Sequence, residues 1–248
     1  MKKLVALGIL CSAFLMNGCK KDTKNAAPAS TTSSSSSNGW NGVLEVGKGL
    51  TIVSDTIQSI EYSGAASFGF GTAWIGDPTK EVTVDTVKLN GIAMMMMDST
   101  YTDTSGFSTG VMQPISYPYT FKVTGKHGIP SFTYTENGPY PGYTGYASIP
   151  DTLYRSAGFT FPLTGVSNVT NVSVDINDYS SVAGHDPGQQ FQSVPASINF
   201  PSSVTGVLNV TNNATLTIIF QKWDTQTFGG KQMLFATGLT ISKTVVIK

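Results

Sequence analysis

The chain has 248 residues, with 15 Lys and Arg balanced by 15 Asp and Glu, two histidines and two cysteines. Zero net charge with no basic cluster excludes a nucleic-acid-binding surface, and two cysteines exclude a disulfide-dense fold. Ser, Thr, Gly, Val and aromatic residues dominate, a bias that suits strands and turns rather than helices.

Residues 1–18 read as a secretory signal. Lys2 and Lys3 give a positive start, and Leu4 to Met16 form an apolar run. That run is too short to cross a hydrocarbon core of roughly 30 Å as a helix. It ends in Met16-Asn17-Gly18-Cys19. This ending resembles a bacterial lipobox, which implies that Cys19 becomes the acylated first residue of the mature protein. Lys20-Lys21-Asp22 follows at once and is similar to the export tag of surface lipoproteins in the Bacteroidota. Removal of residues 1–18 takes two lysines with it and leaves two more acids than bases. Each buried CH₂ of an acyl chain contributes about 0.8 kcal/mol, and more than one chain makes anchoring stable. The expected address is therefore the outer membrane, lipid-anchored at the cell surface. Residues 19–43 form the acylated cysteine and a tether. Its core, NAAPASTTSSSSSNG, buries too little apolar surface to order itself, and the coil of about 23 residues from Lys20 to Gly42 reaches roughly 25–30 Å.

The body alternates with period two. Phe68, Phe70, Thr72 and Trp74 share a face, as do Tyr119, Phe121 and Val123, then Val172, Val174 and Ile176, then Leu216, Ile218 and Phe220. These are half-buried antiparallel strands, and Gly/Pro/Asp clusters at 75–78, 125–128, 137–139, 185–188 and 228–230 separate them. The expected fold is all-β. Two immunoglobulin-like sandwiches are expected, over 44–150 and 151–248, with one larger sandwich as the alternative. The Ser-rich tether, the AGFTFPLTGV stretch and the GGKQMLF and ISKTVVIK segments resemble cell-surface lipoproteins of the Bacteroidota. That resemblance implies fold and address and carries no catalytic residues.

Candidate chemistry is sparse. Gly106-Phe107-Ser108-Thr109-Gly110 matches the nucleophile elbow, but no helix follows, so a loop is expected. His127 and His185 sit in separate turns, and no metal or cofactor is expected. Asp175, Asn177 and Asp178, with Asp186 nearby, offer either calcium oxygens or an Asx-capped turn. The fragment resembles the calcium-binding linker of cadherins. Met94 to Met97 are consecutive, so their thioethers alternate between faces, and a buried strand is expected rather than a soft-metal site.

Two patterns point to the surface. Asp55-Thr56, Asp85-Thr86, Asp98-Ser99 and Asp151-Thr152 each precede an apolar residue or a threonine. They resemble the O-glycosylation site of Bacteroidota envelope proteins, which implies Thr56, Thr86, Ser99 and Thr152 as acceptors. The densest aromatic run alternates Tyr140, Tyr143 and Tyr146 with proline and glycine. It is either a platform for sugar rings, with Trp74 or Trp223 adding area, or a loop folded back on the sandwich. The expected function is non-catalytic: a surface binding module with glycan as ligand, or an accessory subunit docked on another envelope protein.

Overall fold

A computed structural model describes residues 39–53, 55–70, 80–105, 113–179 and 187–248. Cys19 with the signal and most of the tether, Trp74, the Gly106–Gly110 motif, His185 and Asp186 lie outside the described residues. The fold is all-β, as the sequence leads one to expect.

Its spine is one hairpin. β14 (Thr211–Phe228) and β15 (Lys231–Ile247) are 18 and 17 residues long. They turn at Gly229-Gly230, where both φ angles are positive, at 53° and 76°. Such a two-residue turn suits glycine and matches the twist of the flanking strands. On the other side of β15 lies β1 (Gly42–Val53), parallel to it from Gly42↔Met233 to Ile52↔Lys243. β2 (Thr56–Phe68) returns antiparallel on β1. β6 (Thr100–Thr102) and β5 (Met95–Met97) follow β2 and end the sheet at that edge. On the opposite side, β11 (Asn171–Asn177) joins β14, and β12 (Gly188–Phe191) forms the other edge. β9 (Thr152–Leu153) takes up the last residues of β15 beyond the end of β1.

Two small sheets cover one face of this large one. The first orders β4 (Ile92–Ala93), β3 (Thr86–Leu89), β7 (Tyr119–Thr124) and β8 (Phe132–Glu136). The second pairs β10 (Phe159–Pro162) with β13 (Ser197–Phe200) and leads into a single helical turn, α1 (Ser202–Thr205). Alternation shows that both pack on the same face. Along β15, Met233 and Phe235 enter one core, while Leu239, Ile241, Val245 and Ile247 enter the other, and all are odd-numbered. Along β1, Leu44 and Val46 serve the first core and Leu50 and Ile52 the second, all even-numbered. Aromatic contacts join the layers: Phe132 stacks on Phe228 at 4.4 Å, and Tyr134 on Phe235 at 3.6 Å. Each fully buried Leu, Ile or Phe contributes about 1.5–3 kcal/mol.

The expected boundary at 150/151 cuts through these features. β1, from the first part, is a central strand beside β15, from the second. Leu50, Ile52, Tyr143 and Ile149 belong to the core otherwise built from residues after 151, and Met233 and Phe235 to the core built from residues before it. A parallel pairing between strands almost 200 residues apart leaves no trace in local alternation.

Candidate functional site

The Tyr-rich run is not a shared platform. Pro139, Pro141 and Gly142 keep it out of the sheets, but its tyrosines turn inward and to different cores. Tyr140 is half-buried among Tyr117, 4.8 Å away, and Tyr62, and its hydroxyl donates to the Ile115 carbonyl at 3.1 Å. Tyr143 is buried, stacks on Phe220 at 5.0 Å and donates to the Gly145 carbonyl at 2.7 Å. Tyr146 is half-buried and meets Tyr143 edge-on at 5.4 Å. Burial raises the ionisation of all three hydroxyls above the ordinary phenol value. The apolar face of each ring is already occupied by protein, which removes it from sugar stacking. Trp223 packs against Trp40 at 5.7 Å on the opposite face of the large sheet. Tyr143→Ala is expected to cost about 3–5 kcal/mol, and Tyr143→Phe about 1 kcal/mol, in urea unfolding. A Tyr143→Ala variant as stable as the parent would show that the ring is not core.

The Asp-Ser/Thr pairs have structural work of their own. Lys243 is 1% exposed in β15. Its Nζ donates to Asp55 at 2.7 Å, to Asp151 at 2.9 Å and to the Ile149 carbonyl at 2.6 Å. Burial alone lowers the lysine's pKa, but the two carboxylates outweigh it and raise it above the ordinary value. Two of the four motif aspartates are therefore spent on one buried cation. Asp85 pairs with Lys126 at 3.4 Å, and Asp98 sits in the β5–β6 turn with φ of 45°. Of the hydroxyls, Thr56, Thr86 and Ser99 are exposed, while Thr152 is half-buried in β9. Thr86 donates to Thr124 Oγ1 at 2.9 Å. Ser99 crowns the β5–β6 turn, with a φ of 67°.

The calcium oxygens diverge. Asp175 and Asn177 alternate with buried Ile176 along β11, so they face away from the core. Asn177 Oδ1 accepts from the Tyr179 amide at 2.7 Å, an Asx turn, and buried Asp178 accepts from the Asn209 amide at 2.6 Å. His127 is exposed in a turn, with Nδ1 at 3.1 Å from the Thr83 carbonyl. Among the described residues no group of three His, Cys, Asp or Glu is placed to hold a metal ion.

The methionine run corrects a sequence expectation. Met94 is buried, but Met95, Met96 and Met97 are 55%, 52% and 46% exposed. The reason is position. Among the described residues β5 pairs with β6 alone, and its side chains on both faces are about half exposed. Exposed Ile92 lies close by in sequence.

Two acids that sequence reading passed over carry electrostatic weight. Buried Glu136 accepts from the Gly138 amide at 2.7 Å, from Lys222 at 3.1 Å and from the Tyr134 hydroxyl at 3.0 Å. Burial works to raise its pKa, but these donors win and hold it below the ordinary carboxylate value. Glu45 is the opposite case. It faces away from both cores between Ala65 and Ala236, which offer no side-chain donor, and burial pushes its carboxyl up to about 7. A raised acid favours the fold when protonated, so this contribution is complete below pH ~4.5 and is lost as pH rises through about 7. Glu45→Gln is expected to flatten that slope and to gain about 2 kcal/mol over the parent at pH 8. An unchanged pH profile of the unfolding midpoint would assign the slope elsewhere.

No protein-family model matches the chain, and no curated protein matches it.

Proposed function

We propose that this chain is a non-catalytic, lipid-anchored envelope protein that acts as an accessory subunit, docking another envelope protein on the open edge at β5. Acylation at Cys19 ties the body to the outer membrane, and the tether lets it face outward. The observation that carries the docking role is the row of exposed methionines at Met95–Met97, on an edge with which no described strand pairs. Sheets protect their edges with lysine, proline, bulges or short strands, and of these β5 has only its length of three residues. An extended segment of a partner adds there as a further strand. Three thioethers, soft and rotatable, then fit its side chains. The inward-turned tyrosines favour this reading over a glycan platform. Ser99, at the turn beside the same edge, is the best-placed acceptor for an O-linked glycan.

The test is a photo-crosslinking residue at Met96, in the native host with Cys19 retained. One protein adduct of defined mass is expected, absent when the same probe replaces exposed Val210. Cys19→Ala is expected to remove palmitate labelling, to take the protein out of the outer-membrane fraction and to abolish the adduct. Identical adducts from positions 96 and 210 would sink the docking role, and palmitate labelling of Cys19→Ala would sink the anchor.

A further inference from the structure

The methionines divide by place. Met95, Met96 and Met97 are each about half exposed, whereas Met94 and Met233 are buried. Both cysteines precede residue 39, so all sulfur in the described residues belongs to methionine. A sulfur reacts with oxidants according to the access it gives them. Three reactive thioethers therefore stand side by side on one short strand.

β5 distributes them over both faces of the sheet. Met95 and Met97 share one face, and Met96 takes the other. On the shared face, Met95 pairs with Thr102 and Met97 with Thr100 of β6. Directly opposed residues have Cβ atoms about 4.5–5.5 Å apart, within reach of a long side chain. Thr100 Oγ1 lies 3.0 Å from Ser67 Oγ, and one bond between two hydroxyls leaves one proton to donate. A sulfoxide oxygen at Met95 or Met97 thus has a hydroxyl donor across the strand or water, and the fold accommodates it. Met96 pairs with buried Tyr101, whose hydroxyl already donates to the Val84 carbonyl. Solvent alone serves an oxygen there.

A docked strand reverses this balance. It covers the three side chains, and an oxygen on each sulfur then needs a donor that an apolar contact does not supply.

We propose that Met95, Met96 and Met97 form a peroxide-sensing site that closes the docking edge. This regulation presupposes the docking role of the same edge. The sulfur lone pair attacks one oxygen of a hydroperoxide, and the O–O bond breaks. The thioether is oxidised by two electrons to a sulfoxide. With hydrogen peroxide, the second oxygen leaves as hydroxide and takes the proton of the first to become water. The oxidised edge keeps its strand pairing and loses its apolar contact surface.

The test has two arms. In the first, the detergent-solubilised full chain is treated with hydrogen peroxide, and peptide mass spectrometry locates the added oxygen. Met95, Met96 and Met97 are expected to be converted before Met94 and Met233, with the urea unfolding midpoint little moved. Equal rates at all five would overturn the site. In the second arm, cells carry the photo-crosslinking residue at position 96 with Cys19 retained. They are treated with peroxide until Met95 and Met97 are sulfoxides by mass, and are then irradiated. The adduct is expected to fall about tenfold or more, as buried acceptors without donors require. Met95→Leu combined with Met97→Leu keeps the apolar contact and has no sulfur there, so its adduct is expected to survive peroxide. Met95→Ile combined with Met97→Ile serves where the leucine pair does not dock. An adduct that persists with both sulfoxides present overturns the regulation and leaves the docking role standing. Equal loss in the leucine variant places the sensitive group in the partner and overturns it too, as do methionines that stay reduced in treated cells. No adduct even before peroxide removes the docking role, and the regulation falls with it.

Discussion

Asp55→Asn combined with Asp151→Asn is expected to destabilise the protein by about 3–5 kcal/mol in urea unfolding, more than Lys243→Met does. The asymmetry follows from exposure. The lysine side chain is 1% exposed, whereas those of Asp55 and Asp151 are 50% and 67% exposed. Removing the lysine leaves two carboxylates that water can serve, and methionine refills most of the space. Removing both acids strands an ammonium with one carbonyl in the interior. Each single Asn variant keeps one carboxylate and is expected to lose less than half of the double loss. The pH dependence has a definite sign. Lys243 is raised in the fold, so its contribution is complete below pH ~10.5 and is lost as pH climbs through the raised value. Equal losses in the double Asn variant and Lys243→Met would mean that the ammonium is not buried in solution.

A fragment of residues 155–248 is expected to show no cooperative unfolding transition. It keeps β10 to β15 but loses both strands that pair along the other edge of β15, β1 and β9. It also loses Leu50, Ile52, Tyr143, Ile149 and Leu153 from the core that covers β11, β14 and β15. At about 1.5–3 kcal/mol for each buried side chain, that deficit is as large as the whole margin by which most domains are stable. Residues 39–248, which retain all of these, are expected to unfold cooperatively. A sharp transition in the short fragment, with a β-type far-ultraviolet spectrum, would show that the C-terminal strands hold a sufficient core by themselves.

Period-two alternation in the sequence determined the strands and the all-β class. Tyr119 to Val123 and Val172 to Ile176 lie in strands with the buried faces that their spacing implies. The Gly-Gly turn at 229–230 was equally legible, because two successive positive φ angles select glycine. Partnership was not legible. Nothing local in β1 marks its partner, and only the assembled sheet makes it the parallel neighbour of β15 and so the link between the two halves. The same limit governed the sites. Prolines and glycines rightly took Tyr140, Tyr143 and Tyr146 out of the sheets, but a loop beside an unfilled core folds its rings inward, because burying them outweighs exposing them. The methionines at 95–97 have the composition of a core strand, yet they are exposed because the sheet ends there. Lys243 sits among Ile241, Val245 and Ile247 on the core face of a strand, where its charge is tolerated only because Asp55 and Asp151 reach it from 188 and 92 positions away. Local chemistry writes itself into neighbouring residues, whereas these long-range compensations exist only where the folded chain brings distant charges and edges together.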